Sequence, residues 1–366
     1  MSILHTDEQK QIGEGALRFV QDNYSGTKLK ELLEATGRYD EGYWQACRDM
    51  GWAALAVPEQ YGGLGLGLIE FNIVAEAVGR AVAGAPFLLT SYAASQAILL
   101  AGDESVRSEV LPLLASGEKI GALAFAESAD PVPADLTVKL ASDRITGVKR
   151  AVLGGAHADI AVTLASRDDK AALVLVDLNQ KSVTRELLST YDNSRGFADI
   201  VFADAPARLL TDVDADKIAW DVLDRVAVAL AAEQAGGADV CMEMARDYAN
   251  TRHAFGQPIG KFQAIKHRIS EMYVANQIAK ANCLEAALAF TSGSPHATSL
   301  AAAARISAIK AYDFAAREGI QIFGGIGATW ESDMHLHMRR ARSSAAVFGS
   351  RFIWEDRLVA ELEAKR

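Results

Sequence analysis

Residues 252–263 read RHAFGQPIGKFQ and decide how the second half of the chain is interpreted. The stretch lies between two segments of helical periodicity, and its glycines and proline enforce a tight turn. Arg252, at the end of the first helix, can bind an anionic group such as a pyrophosphate through charge-assisted hydrogen bonds. Phe255 can pack against a flat ring, and Gln263 can hydrogen-bond a phosphate or a ribose. An ordinary helix–helix turn with a solvated arginine is the alternative interpretation of this spacing.

A second loop, residues 321–327, reads QIFGGIG and follows the end of a predicted helix. Consecutive glycines let a ligand approach the backbone closely and expose N–H groups to anions. Gln321, Gly324 and Gly325 are therefore candidate binding residues. A glycine-rich helix C-cap followed by a turn explains the same residues, so this loop needs support from elsewhere in the chain.

Local patterns divide the chain into three parts. Helical spacing dominates up to about residue 120, and short β-branched runs separated by turn residues follow up to about residue 210, which indicates strands. From residue 215 onward the pattern is helical and alanine-rich. The predicted domains are an N-terminal helical domain (1–119), a middle β domain (120–214) and a C-terminal helical domain (215–366).

The C-terminal part predicts four long helices joined by short Gly/Ser/Pro loops. Their approximate ranges are 216–250, 261–291, 296–319 and 331–363. Long helices with short connections favour a four-helix bundle, and abundant alanine allows the helices to approach closely. The predicted fold class is therefore α+β, with a helical domain, a β-barrel-like domain and a four-helix bundle in that order.

Composition argues against several classes of protein. The 366 residues carry a net charge of −10, and nucleic-acid binding requires a basic surface to meet phosphates. The three cysteines form no C-x-x-C pair, and His335 and His337 lack the i, i+4 spacing of paired ligands, so no metal site is assigned. Neither a signal peptide nor a run approaching the ~20 apolar residues of a membrane span is visible. We expect a cytoplasmic protein with no membrane or nucleic-acid partner.

Three motifs together resemble those of the acyl-CoA dehydrogenase family. They are R-x-x-F-G-x-P-I-x-x-F-Q at 252–263, Q-I-F-G-G-x-G at 321–327 and V-P-E-Q-Y-G-G-L-G at 57–65. The order of helices, β domain and helices is similar to the fold of that family, and the motifs span nearly the whole chain. The resemblance implies an oxidoreductase that introduces an α,β double bond into an acyl-CoA thioester.

The resemblance also implies an FAD cofactor at a subunit interface of a homo- or hetero-oligomer. In such enzymes the two C-terminal motifs reach the FAD from the neighbouring subunit. Carried over residue by residue, the cofactor-binding set is Arg252, Phe255, Gln263, Gln321, Gly324 and Gly325. A carboxylate removes the α-proton of the substrate while the β-hydrogen leaves as hydride to the flavin. An electron-transfer flavoprotein then accepts the electrons.

The catalytic base that the resemblance implies is missing. The family's E-G-T/S segment reads F-G-S at 348–350, and the phenyl ring of Phe348 cannot accept a proton. The alternative base position, on the first C-terminal helix, is occupied by Val226. Asp224 and Glu233 are the remaining weak candidates for the catalytic base, although a salt-bridging or solvent-facing role explains either of them.

The segments that face the flavin ring in this family are altered as well. The T-E-P-G-type loop reads FAESAD at 125–130, with Ala126 in place of threonine. The W-I-T-N segment reads AVLG at 151–154, with Ala151 and Leu153 in place of tryptophan and threonine. Polar side-chain contacts to the ring are lost at these positions, whereas backbone N–H groups can still serve.

These losses favour a partner-dependent subunit. Some bacterial members of the family are heteromers of two related subunits that act on unusual acyl-CoAs, such as steroid side chains or dicarboxylates, and one subunit supplies the base. This sequence resembles the smaller subunit of such pairs, in fatty acid or steroid catabolism. Two alternatives stay open: a self-sufficient homo-oligomer with a relocated base, and different chemistry on the same fold, such as flavin monooxygenation or hydration.

Overall fold

The computed structural model describes residues 5–82 and 88–364, and it follows the predicted order of helices, strands and helices. The helices are α1 (Asp7–Asn23), α2 (Gly26–Leu33), α3 (Glu41–Asp49), α4 (Leu68–Gly79), α5 (Leu88–Ala101), α6 (Glu104–Ala115), α7 (Ala215–Thr251), α8 (Gln263–Ser292), α9 (Ala297–Phe323), α10 (Met334–Ala346) and α11 (Arg351–Glu363). The strands are β1 (Gly121–Ala124), β2 (Lys139–Ala141), β3 (Arg144–Leu153), β4 (Ile160–Arg167), β5 (Lys170–Asp177), β6 (Val183–Leu188), β7 (Phe197–Pro206), β8 (Arg208–Thr211), β9 (His253–Ala254) and β10 (Gln257–Pro258). The predicted α+β fold with a middle sheet is confirmed.

Two compact units make up the chain. The helical unit comprises Met1–Gly26, Asn72–Gly84 and Ala227–Arg366, and the sheet unit comprises Thr27–Phe71 and Ala85–Val226. The two domain boundaries predicted after residues 119 and 214 follow changes in local structure type, and they stay predictions.

The sheet unit is built around an eight-stranded sheet. Its strand order is β6-β7-β3-β2-β4-β5-β8, and β1 pairs in parallel with β4 off this path. β4 is buried along nearly its whole length because apolar side chains point to both of its faces. Helix α5 packs against β1 and β4, which explains why most of its side chains are buried rather than one stripe of them.

The last predicted helix, over 331–363, is wrong because the structure has two helices there. α10 ends at Ala346 and α11 begins at Arg351. Phe348 and Gly349 between them have φ values of 56° and 102°, and positive φ cannot continue a right-handed helix. Both helices pack against α9, so the break changes the direction of the chain within the helical unit.

Glycines allow α4 and α7 to cross very closely in the helical unit. A Cβ built on Gly79 would lie 1.8 Å from the carbonyl oxygen of Glu233, and one built on Gly236 would lie 1.9 Å from that of Glu76. Neither distance is compatible with a side chain. The contact is therefore reciprocal, and each helix uses a glycine where the other's main chain passes.

The Gly79→Ala substitution tests this crossing. We expect a loss of about 1–3 kcal/mol in the free energy of unfolding, because the added methyl group overlaps the main chain of α7. Gly15→Ala on α1 is the matched control, since no heavy atom lies within 4 Å of its Cβ position. That change is expected to stabilise the protein by about 0.5–1 kcal/mol through helix propensity. Urea and thermal unfolding measure both, and equal stability of Gly79→Ala and the parent would contradict the crossing.

Candidate functional site

The loop between α7 and α8 is a small β-hairpin. β9 pairs antiparallel with β10, matching Ala254 with Gln257 and His253 with Pro258. The N–H of Ile259 donates to the carbonyl of the residue at the start of the loop, Arg252, at 2.8 Å. The hairpin therefore fixes the direction in which the chain leaves α7.

The tip of this hairpin presents an aromatic side chain outward. Phe255 and Gly256 have φ values of 53° and 81°, and the Phe255 side chain is 96% exposed. Its ring meets the ring of Phe262 edge-on, with centroids 6.2 Å apart. Left-handed backbone is uncommon at a bulky residue, and such strain is concentrated at ligand-binding and catalytic sites. The phenyl ring is thus available to a flat ligand from outside the chain.

Three predicted polar residues are also exposed. They are Arg252, Gln263 and Gln321. None of these side chains hydrogen-bonds or ion-pairs with another residue in 5–82 or 88–364. Polar groups of this kind remain available to a ligand or to another chain.

The second loop leaves its backbone open. Gly324 has φ 64° and ψ −145°, a conformation that is essentially restricted to glycine. No heavy atom lies within 4 Å of the Cβ positions of Gly324 or Gly325. The main chain here can therefore be approached closely by a ligand, as the sequence predicts for consecutive glycines.

One hydrophobic cluster anchors both loops. Tyr248, Ile259 and Ile265 from the hairpin side pack against the same buried core as Ile320 and Phe323 from the glycine loop. The rings of Tyr248 and Phe323 stack with centroids 4.3 Å apart and planes 14° from parallel. The structure therefore brings the two predicted motifs to one end of the helical unit, where they offer an exposed guanidinium, two exposed amides, open glycine backbone and an exposed phenyl ring.

The two base positions carry side chains that cannot accept a proton. Phe348 lies in the break between α10 and α11, half-buried, and Val226 is fully buried on α7. The main chain just before position 348 is held by Arg305, a fully buried residue on α9. Arg305 donates to the carbonyl oxygens of Ser344 (2.6 Å) and Val347 (2.9 Å). Arg305 also donates to the side chain of Gln234.

Arg305 carries its charge under unusual conditions. Burial lowers its pKa to about 9, and its acceptors named above are a side-chain amide and two main-chain carbonyls at the end of α10. Carbonyls at a helix C-terminus carry partial negative charge, which favours a cation there. The sequence analysis missed this residue, and an arginine within the otherwise alanine-rich segment SLAAAARISA (299–308) was the available signal.

The two weak candidates for the base lie in different surroundings. Asp224 is buried on α7 in the sheet unit. Glu233 is buried in the helical unit, and its Oε1 lies 3.3 Å from Nη1 of the equally buried Arg340. The ion pair gives Glu233 a structural role, because an acid removed from this site would leave the arginine buried without its partner.

Two family models match the chain along most of its length. The model for the acyl-CoA dehydrogenase N-terminal domain matches residues 6–118, and the model for the acyl-CoA dehydrogenase C-terminal domain matches residues 217–361. The chain therefore belongs to the acyl-CoA dehydrogenase family. The resemblance drawn from the three motifs is confirmed, as is the oxidoreductase class.

Individual relatives agree with this assignment. The chain is 33% identical over 347 residues to the acyl-CoA dehydrogenase IpdE2 of Mycobacterium tuberculosis, covering 94% of each protein. Its fold is similar to butyryl-CoA dehydrogenase from Megasphaera elsdenii (TM-score 0.90, 23% identity, 99% of this chain and 100% of the other). It is also similar to a chain of the ChsE4–ChsE5 complex from Mycobacterium tuberculosis (TM-score 0.90, 24% identity, 99% of both chains).

Two kinds of feature are absent from residues 5–82 and 88–364. No helix there combines the length and apolar character that crossing a bilayer requires. The same residues contain no group of three or more His, Cys, Asp or Glu side chains placed to hold a metal ion.

Replacing Glu233 separates its structural role from a catalytic one. Glu233→Leu is expected to lower the free energy of unfolding by about 3–5 kcal/mol, because the buried Arg340 loses the carboxylate of Glu233. The double substitution Glu233→Leu with Arg340→Met should recover most of that loss. Urea unfolding of the three proteins gives the comparison. A stable Glu233→Leu protein whose flavin chemistry alone is abolished would instead identify Glu233 as the relocated base.

Proposed function

We propose that this chain is one subunit of an FAD-dependent acyl-CoA dehydrogenase hetero-oligomer, in which a homologous chain supplies the catalytic base. The observation that carries the proposal is the exposure of both cofactor loops together with a phenyl side chain at position 348. The chain keeps the two loops that would contact a cofactor held by a neighbouring subunit. It lacks a carboxylate at the two positions from which it would deprotonate its own substrate.

The residues of the two loops fit FAD. Arg252 is the residue for the pyrophosphate, since a free guanidinium binds phosphate oxygens in pairs. Phe255 offers a ring face, and the open main chain at Gly324 allows close approach. Gln263 and Gln321 supply amides for phosphate or ribose. Because these groups point outward from the helical unit, they suit a cofactor held mainly by an adjoining subunit.

The proposed chemistry assigns separate tasks to the two chains. FAD, when bound, supplies the acceptor for the hydride that leaves the β-carbon of the acyl-CoA. The loops of this chain bind and orient that cofactor, and they exclude water from the pyrophosphate. Phe348 and Val226 keep this chain's own base positions apolar, so removal of the α-proton requires a carboxylate of the partner.

Known relatives support a two-chain assembly. The ChsE4–ChsE5 neighbour, which has the same fold, is a complex of two different chains. Membership of the family further suggests, as part of this proposal, an acyl-CoA substrate of the steroid or fatty acid type and an electron-transfer flavoprotein as acceptor. We also place the protein in the cytoplasm. The division into domains 1–119, 120–214 and 215–366 belongs to this proposal.

A self-sufficient homo-oligomer is the second candidate. It is favoured by the burial of Asp224, only two residues from the base position at Val226. Two residues along a helix turn a side chain by about 200°, so Asp224 faces away from the direction of that position. For this reason we prefer the hypothesis that a partner subunit supplies the base.

Flavin content and native mass distinguish these candidates. Purified alone, the chain is expected to be poorly loaded with FAD and unable to dehydrogenate acyl-CoAs. Co-expressed with a homologous subunit that carries the base, it is expected to form a flavin-containing complex that turns over. A yellow homo-oligomer with about one FAD per subunit and activity without a partner would contradict the proposal, and Asp224→Asn would then be the next variant.

The Arg252→Met substitution tests the cofactor loop in the assembled protein. Loss of a charge-assisted hydrogen bond to the pyrophosphate is expected to weaken FAD binding about ten- to a hundredfold. Arg246→Met is the matched control, because Arg246 is an exposed arginine on α7, the helix that ends just before Arg252, and it pairs with Asp247. Titration with FAD, followed by flavin fluorescence, measures the affinity. Equal FAD affinities of the two variants would contradict a role of Arg252 in FAD binding.

A further inference from the structure

A buried lysine in the sheet unit ties together two segments of main chain. The side chain of Lys149, on β3, is fully buried. Its Nζ donates to the carbonyl of Phe125 at 2.8 Å and to Oε1 of Glu127 at 2.7 Å. The lysine thus fixes the short segment that follows β1 against the middle of β3.

The Glu127 carboxylate extends the contact to a third segment. It accepts hydrogen bonds from the N–H and the hydroxyl of Thr137 (2.7 and 2.5 Å) and from the N–H of Val138 (3.2 Å). Burial lowers the pKa of Lys149 to about 8. Burial alone would raise the pKa of Glu127, but hydrogen bonds from Lys149 and Thr137 bring it below its usual value. The two groups therefore form a hydrogen-bonded ion pair.

The lysine lies next to an irregularity in the sheet. The pairing of β3 with β7 shifts register between Lys149 and Val152, and Ala151 within this β-bulge has φ 46°. On one side the N–H of Ala151 donates to Asp199 at 2.7 Å. On the other side the N–H of Arg150 donates to the carbonyl of Ala126 at 2.9 Å. The bulge and the segment after β1 are consequently held as one piece of main chain.

Stability alone does not account for this arrangement. A buried ion pair is often no more stabilising than apolar residues of similar volume, because desolvation offsets the attraction between the charges. The other buried side chains of β3 are apolar, so a leucine or methionine would fill the place of Lys149 in the same strand. β-Bulges are frequently found beside active sites, where they redirect the chain. Position, rather than stability, is the property that the pair controls.

We infer that Lys149 and Glu127 are a positioning pair that fixes the main chain of residues 125–127 and of the bulge at 150–151 for contact with a flavin ring. The inference rests on the proposed function, which assigns FAD to this protein. It follows from the loss of polar side chains at Ala126, Ala151 and Leu153, because contact with the ring at these positions then depends on where the main chain itself lies. A misplaced main chain has no side chain nearby to compensate for it.

Hydrogen exchange without flavin tests whether the Lys149–Glu127 pair holds the main chain of residues 125–127. Lys149→Met is expected to raise deuterium uptake in the peptide covering residues 122–130, because two hydrogen bonds that hold it are removed. Lys139→Met is the matched control: Lys139 lies on the adjacent strand β2, is 57% exposed and contacts Ser166 and Asp169. Unchanged uptake in Lys149→Met would overturn the inference whatever the flavin does.

Flavin binding by the complex with its partner subunit tests whether the Lys149–Glu127 pair positions the main chain for the flavin. Lys149→Met is expected to weaken FAD binding by about tenfold or more and to change the shape of the flavin's visible absorption band, while Lys139→Met changes neither. Adding Glu127→Leu to Lys149→Met should cost little more, since the two residues act as a unit. Additive losses, or a parent-like affinity and spectrum in Lys149→Met, would overturn the inference. A parent complex that binds no FAD would overturn the proposed function, and this inference with it.

Discussion

The close crossing of α4 and α7 is the constraint on which the helical unit depends. Because Gly79 and Gly236 each lie against the other helix's main chain, the two helices are locked in register as well as in distance. Polar side chains beside the crossing use that proximity. Lys280 lies 2.8 Å from Glu76 and also contacts Asp239. Burial by itself would lower the pKa of this lysine, and the two carboxylates more than reverse that effect.

The crossing determines where the hairpin of β9 and β10 lies. α7 continues as one uninterrupted helix to Thr251, so fixing it at Gly236 also fixes the start of the hairpin that follows. The stacking of Tyr248 on Phe323 then brings the glycine loop to the same place. A set of exposed polar and aromatic groups is thus supported by a buried core and by contacts at its edge, which is how a precise arrangement can be carried on loops.

Sequence patterns were sufficient for the parts that depend on local rules. Helical periodicity and β-branched runs predicted the order of elements, and the glycines and proline of residues 252–263 predicted a tight turn between two helices, which the structure forms as a small hairpin. Periodicity alone did not reveal the division of the last helix. Gly349, which has a positive φ, was the available signal, whereas the left-handed backbone at Phe348 has no residue signal of its own. Arg305 and Lys149 were missed for a related reason: their partners are main-chain carbonyls and side chains distant in sequence, and these contacts exist only in the folded chain.

The hydrogen bonds of Arg305 just before position 348 have an evolutionary consequence. Arg305 bonds to the main-chain carbonyls of residues 344 and 347, so it makes no demand on the side chain between α10 and α11. Different side chains at position 348 are therefore compatible with these hydrogen bonds. A duplicated gene can exchange an acid for a phenyl ring at this position while Arg305 still holds the main chain just before it. A change in chemistry at this position is in this way separated from a change in the anchoring of the loop.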